Sequence, residues 1–198
     1  MRRRELLAAA ALACGPVAAH TPSRRTPAQS MDAVMWDREP IGGPFALVDH
    51  TGRRRTDRDF LGRFVLVYFG FTRCSDVCPI DLHEMGVAMD RLGPLASSVQ
   101  PLFITLDPAR DTVAKLKTYV TAMHPSIVGL TGSAVAIRAV ADAYRMGFRK
   151  VPSGRGDYGI DHAAFTYTMD RQGRYVGFFP PGTSAERYVQ VLRERIGN

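Results

Sequence analysis

Apolar runs and amphipathic segments alternate regularly from about residue 41 to the end of the chain. Residues 63–71 form an almost unbroken run of β-branched and aromatic residues, which is typical of a central strand buried on both faces. Apolar side chains then recur at helical spacing over residues 79–92, before a Gly-Pro pair. The same pattern predicts further strands at 101–106 and 127–130, helices at 112–123, 133–144 and 184–196, and hairpins around the turns 49–52 and 170–173.

Strands that alternate with helices and end in a hairpin and a closing helix predict an α/β fold. We expect a central mixed β-sheet flanked by helices, with an added N-terminal hairpin. Two cysteines fall where the first central strand meets its helix, as in the thioredoxin-like plan. The predicted domain covers residues 41–198.

Residues 1–19 have the pattern of an export leader. Arg2 to Arg4 form a positive start, residues 6–13 a short apolar core, and residues 17–19 a small-residue cleavage site. Lipidation at Cys14 is an alternative, and the short apolar core fits a mitochondrial presequence less well. We therefore predict an exported protein, in the periplasm or on the outer face of the cytoplasmic membrane. Residues 20–40 are rich in Pro, Ser, Thr and Arg, which indicates a tether.

Composition and charge exclude several classes. A hydrophobic content of 45% and a charged content of 23% fit a soluble globular protein. No apolar run reaches the roughly 18–20 residues of a spanning helix, so contact with a membrane would be through a lipid anchor only. The net charge is +7, but the basic residues are scattered, and we therefore expect no nucleic-acid partner.

The cysteines point to the chemistry. Cys14 lies in the predicted leader, which leaves Cys74 and Cys78. Two cysteines four residues apart in an exported protein indicate a redox pair or a soft-metal site, with a structural disulfide as the plain alternative. If Pro79 begins the helix, Cys78 is its N-cap, where the helix dipole would lower the thiol pKa and favour the thiolate.

Two thiolates leave room for a third ligand, and histidine is the natural choice. His162 ends a Gly-rich loop, residues 153–162, directly before a buried strand. Its position in the sequence does not by itself decide whether His162 is the third ligand. The other histidines lie in the tether (His20), in a hairpin turn (His50), on the helix after the cysteines (His83) and at a helix end (His124).

Four ordered segments resemble the Sco/SenC family, the copper proteins of cytochrome c oxidase assembly. They are residues 70–79 (GFTRCSDVCP), 106–112 (LDPARDT), 124–132 (HP followed by GLTG) and 158–162 (YGIDH). The resemblance covers about residues 41–196. Arg73 and Ser75 depart from it, since a His and a Pro often stand at these positions.

The resemblance implies Cys74, Cys78 and His162 as copper ligands, with Asp161 as the neighbour that helps to set the His loop. Such donors suit Cu(I), and Cu(II) as a second state. The implied function is a metallochaperone for the binuclear copper site of the oxidase. Its partners would be the copper-bearing oxidase subunit and a copper donor or thiol reductant.

A thiol–disulfide oxidoreductase is the competing interpretation of the same residues. Thiol exchange requires Cys74 and Cys78 but not His162. Asp107 and Arg110, in the second of the resembling segments, are expected to be turn and capping residues rather than ligands, and Asp111 is expected to cap the helix that follows.

Overall fold

The computed structural model describes residues 40–197, apart from residues 76 and 155. The predicted leader and the tether up to residue 39, with Cys14 and His20, lie outside the described residues. The strands are β1 (Ala46–Asp49), β2 (Arg54–Thr56), β3 (Phe64–Gly70), β4 (Val99–Thr105), β5 (Val128–Thr131), β6 (Phe148–Pro152), β7 (Tyr158–His162), β8 (Thr166–Met169) and β9 (Tyr175–Phe179). The α-helices are α1 (Val77–Leu92), α2 (Val113–Met123), α3 (Ala134–Ala143) and α4 (Ala185–Ile196), and short 3-10 helices lie at Asp57–Phe60 and Gly93–Ser98.

Seven strands form a mixed sheet in the order β2-β1-β5-β4-β3-β8-β9. The three inner strands β5, β4 and β3 are parallel, whereas β1 and β8 pair antiparallel to them. Every residue of β3 is buried, as the continuous apolar run predicts. The N-terminal hairpin is confirmed as the antiparallel pair of β1 and β2.

The two faces of the sheet carry separate hydrophobic clusters, because alternate residues of β3 point to opposite sides. Val65, Val67 and Phe69 belong to the cluster covered by α3. Leu66 and Tyr68 belong to the cluster covered by α1, α2 and α4. This arrangement confirms the predicted α/β layers, with a mixed sheet flanked by helices on both faces.

Three local predictions are wrong. Helix α1 begins at Val77, two residues before Pro79. Thr112 rather than Asp111 caps α2, because the Thr112 side chain accepts the Lys115 N–H. Part of the predicted Gly-rich loop is β7, which pairs with β6 in a second, two-stranded sheet. Because β6 carries exposed charged side chains, the apolar alternation typical of a strand is missing there.

Within the described part of the chain, no helix combines the length and apolar character needed to cross a membrane.

Candidate metal centre

The loop after β3, residues 71–75 (here the Cys loop), carries Cys74 and leads into α1. The Cys74 N–H donates to the Phe71 carbonyl at 3.1 Å. Asp111 accepts the Thr72 N–H at 2.9 Å and the Thr72 hydroxyl at 2.6 Å. The fully buried Asp111 also accepts the Thr105 hydroxyl at 2.7 Å. This carboxylate therefore fastens the Cys loop to the end of β4.

Cys78 lies in the first turn of α1, so the prediction that it is the N-cap is wrong. Pro79 is the third helical residue, where its missing N–H costs little because the first four N–H groups of a helix have no acceptor within it. The sulfur lies against the end of β3. A Cβ atom on Gly70 would stand 3.0 Å from the Cys78 Sγ, so the absence of a side chain at Gly70 makes room for the thiol.

The Cys78 thiol is fully buried and forms a hydrogen bond with Cys74. That hydrogen bond, burial, and the charge on Cys74 together raise the pKa of Cys78 far above its ordinary value. Without a metal, the Cys78 thiol is therefore protonated at neutral pH, and the expectation that the helix dipole would favour its thiolate is wrong. A bound cation would reverse the balance, since coordination deprotonates a thiol.

His162 ends β7 and faces Cys78, with 3.9 Å between the His162 Nε2 and the Cys78 Sγ. The His162 Nδ1 lies 3.0 Å from the Ala163 carbonyl, which can only accept. The proton is therefore assigned to Nδ1, and Nε2 presents a lone pair towards the sulfur. Burial lowers the pKa of His162, which keeps the imidazole neutral, the form that binds metals.

Cys78 contacts both of the other predicted ligands, Cys74 and His162. The S···N separation of 3.9 Å is close to that of two donor atoms on one ion, given metal–ligand bonds of about 2.0–2.3 Å. Cys74 and Cys78 are both in the thiol form, and Cys74 is half-buried. Among the described residues, no three His, Cys, Asp or Glu side chains already stand close enough to enclose a metal ion. The donor chemistry of two thiols and one imidazole fits a soft metal.

The other described histidines have separate partners or point outward. The His50 Nδ1 accepts the Gly129 N–H at 3.1 Å. His83 is exposed on α1. His124 follows α2 as its C-cap and lies 3.1 Å from an Asp90 oxygen, which confirms its expected place at a helix end.

The Asp161 side chain pairs across the hairpin, and its charge also acts on His162 by raising the pKa of the imidazole against the larger effect of burial. Its carboxylate accepts Arg149 Nε at 2.8 Å, across the β6–β7 pair. The group that orients the imidazole is the Ala163 carbonyl. That Asp161 helps to set the His loop stays a prediction.

Asp107 and Arg110 close a turn, as expected, because the Arg110 N–H donates to the Asp107 carbonyl at 3.0 Å. Their side chains also form an ion pair, and Arg110 reaches Asp157 at the tip of the β6–β7 hairpin. Sequence reasoning missed Asp157 and Gly70. Asp157 directly precedes one of the resembling segments, and Gly70 begins another, which is the one signal that could have drawn attention to them.

The chain matches the SCO1/SenC family model over residues 34–197. It is 40% identical over 159 residues to protein sco1 of Schizosaccharomyces pombe, covering 78% of this chain and 60% of that protein. It is 41% identical over 142 residues to the mitochondrial SCO1 homolog of Homo sapiens, covering 70% of this chain and 47% of that protein. The chain therefore spans about half the length of these relatives.

The fold is similar to that of the solved structure of Bradyrhizobium japonicum ScoI with copper bound. The TM-score is 0.74 and the sequence identity 40%, covering 78% of this chain and 98% of that one. The thioredoxin-like fold predicted from the sequence is thereby confirmed. Together with the family match over all of the described residues, this establishes that the chain belongs to the SCO1/SenC family.

Proposed function

We propose that this protein is a copper-binding metallochaperone that assists assembly of the binuclear copper site of cytochrome c oxidase. Its ligands are Cys74, Cys78 and His162. The observation that carries the proposal is the 3.9 Å contact between the Cys78 Sγ and the His162 Nε2, across 84 residues of sequence. Two thiolates and one neutral imidazole suit Cu(I), and the imidazole also suits Cu(II). The similar ScoI protein, solved with copper bound, supports copper as the metal.

The two thiols have different roles in handling the metal. Cys74 is half-buried and can meet an incoming copper ion or a partner's thiol, whereas Cys78 is fully buried. Copper is a cargo here, and a site with few ligands lets the thiolates of a receiving protein enter the coordination shell. The proposed partners are the copper-bearing oxidase subunit and a copper donor or thiol reductant.

The proposed location is outside the cytoplasm, in the periplasm or on the outer face of the cytoplasmic membrane. Its support is the leader pattern of residues 1–19, with lipidation at Cys14 as the alternative form of anchoring.

A thiol–disulfide oxidoreductase is the second candidate function. The observation that favours it is the contact between the half-buried thiol of Cys74 and the buried thiol of Cys78. One thiol can attack a partner's disulfide, and the other can resolve the mixed disulfide. This chemistry does not use His162.

Anaerobic titration with Cu(I) against a competing chelator tests the proposal. The reduced full chain should bind one Cu(I), and Cys74→Ala, Cys78→Ala and His162→Ala should each weaken binding by about 100-fold or more, since loss of outer-shell partners alone costs 10–100-fold. The matched control is His83→Ala, which removes an exposed histidine from α1 and should bind like the parent chain.

The same variants separate the two functions. His162→Ala should keep the thiol–disulfide exchange of the parent chain, because both cysteines remain. Copper affinity that is indifferent to His162 would contradict the ligand assignment and favour the oxidoreductase.

A further inference from the structure

The strand that carries His162 is not part of the main sheet. Strands β6 and β7 pair with each other in a separate two-stranded sheet, whereas the Cys loop follows β3 at the centre of the main sheet. The distance between His162 and Cys78 therefore depends on how this hairpin is attached to the body. Apolar packing holds its base, where Ile160 is buried in the main hydrophobic cluster. The ion pairs that join it to the body lie at its tip, at Asp157.

Asp157 binds two guanidinium groups that come from two different loops. Its Oδ2 lies 2.7 Å from the Arg73 Nη2, and its Oδ1 lies 2.8 Å from the Arg110 Nη1. Arg73 directly precedes Cys74 in the Cys loop, and Arg110 lies between β4 and α2. One carboxylate thus joins the hairpin both to the cysteine side of the site and to the body of the domain.

The backbone of the tip holds Asp157 in place for these contacts. The Ser153 N–H donates to the Asp157 carbonyl at 3.1 Å, and the Asp157 N–H donates to the Gly154 carbonyl at 2.9 Å. The Tyr158 N–H donates to the Asp157 Oδ1 at 2.8 Å. This backbone hydrogen bond, with Arg73 and Arg110, lowers the pKa of Asp157, so the carboxylate is ionised at neutral pH.

The two ion pairs of Asp157, with Arg73 and with Arg110, are here called the clamp, and each pair is one arm. Arg110 is held in place by further contacts. Its Nη1 also donates to the Tyr158 carbonyl at 2.9 Å, and its guanidinium lies 3.6 Å from the centre of the Tyr158 ring. The Tyr158 hydroxyl donates to Asp107 at 2.8 Å. The Arg110 Nη2 is buried without a hydrogen-bond partner among the described residues. The contacts of the other guanidinium atoms have to offset the cost of burying this group.

The two arms of the clamp differ in exposure to solvent. The Arg73 side chain is 49% exposed, whereas that of Arg110 is 15% exposed. Salt screens exposed ion pairs and affects buried pairs much less. The Arg73 arm should therefore weaken in high salt, while the Arg110 arm persists.

We propose that Asp157 is a positioning residue that holds the His162 hairpin against the Cys loop and slows the release of copper. The copper part of this proposal rests on the proposed function, and the attachment of the hairpin does not. Copper leaves once His162 separates from Cys78, and that separation requires the Arg73–Asp157 contact to open.

Hydrogen exchange on the reduced, copper-free full chain tests the clamp, and Cu(I) transfer to a chelator tests its consequence. In Asp157→Asn, amide exchange over residues 158–162 and the rate of Cu(I) release should each rise about five- to tenfold. In Arg73→Gln both should rise about two- to fivefold, the range of an exposed ion pair. The Arg73 effect should vanish in 1 M salt, and adding Arg73→Gln to Asp157→Asn should change nothing further.

The matched control is Asp90→Asn, which removes one exposed carboxylate near the far end of α1 and should exchange and release copper like the parent chain. If Asp157→Asn does not fold, Arg73→Gln decides, because it leaves the hairpin tip intact. Unchanged exchange and release in both variants would overturn the proposal, as would an Arg73 effect that salt leaves unaltered. A parent chain that binds no Cu(I) would refute the proposed function, while hydrogen exchange would still decide the clamp.

Discussion

At the scale of single residues, Cys78 places a sulfur atom in a fully buried position beneath the end of β3. Gly70 leaves the necessary space, and Cys74 supplies the first partner of the thiol. A thiol in these surroundings resists ionisation, since neither burial nor a second sulfur favours negative charge. Metal binding therefore has to displace the proton of Cys78.

Cu(I) binding by the reduced protein should release at least one proton at neutral pH, and apparent affinity should rise about tenfold per pH unit for each proton displaced. The reason is the raised pKa of Cys78, which keeps the thiol protonated until the metal arrives. Calorimetric titration in buffers of different ionisation enthalpy counts the protons. Binding heats that do not depend on the buffer, with an affinity that is flat between pH 6 and pH 8, would contradict this prediction.

At the scale of secondary-structure elements, the site lies where several elements end close together. The Cys loop is held by Asp111, which follows β4 and precedes α2. Asp111 accepts a backbone N–H and two threonine hydroxyls within a buried environment. Its removal would leave the Thr72 N–H and the Thr105 hydroxyl without an acceptor.

Asp111→Ala should lower the free energy of unfolding by about 2–4 kcal/mol, since each orphaned buried donor costs about 1–3 kcal/mol. Urea denaturation measures the change. Thr72→Val provides the comparison, because the double variant should lose less stability than the two single losses added together. Additive losses, or a loss below about 1 kcal/mol for Asp111→Ala, would show that the carboxylate does not hold the loop.

At the scale of the whole molecule, two hairpin turns of the main sheet are closed by buried aspartates. Asp49 accepts hydrogen bonds from the backbone of Thr51 and Arg53 and from the Arg55 side chain. Asp170 accepts from the Gln172 and Arg174 N–H groups and from the Arg174 side chain. Burial opposes ionisation at both sites, yet these hydrogen bonds hold the pKa of each carboxyl below its ordinary value.

Both carboxylates should therefore make the fold sensitive to acid. A lowered folded-state pKa gives stability that is fully present above the unfolded value of 3.8, and this stability is lost as the pH falls towards the folded-state pKa. Between pH 6 and pH 3, Asp49→Asn should remove about 1–2 kcal/mol of the pH-dependent loss of stability. Urea denaturation across this range measures it, with Glu194→Gln on α4 as an exposed control. An unchanged slope in Asp49→Asn would refute the prediction.

The order of elements was predictable because the apolar pattern is local. The residues 63–71 run, the helix after it and the terminal hairpin each appear within a few residues of their predicted bounds. The strand pair β6–β7 was not predictable in this way, because its side chains are mostly polar or half-buried and it hydrogen-bonds to no strand of the main sheet among the described elements.

The sequence by itself determined the α/β layers, the spacing of Cys74 and Cys78 at a strand–helix junction, and the family resemblance that points to His162. These depend on propensities and spacings that act over a few residues. Only the tertiary structure decided that the His162 Nε2 approaches the Cys78 Sγ, that burial raises the pKa of Cys78, and that Asp157 joins the hairpin to the Cys loop. Each of these depends on side chains distant in sequence, and their proximity and desolvation follow from the packing of the sheet, the helices and the hairpin rather than from any local pattern.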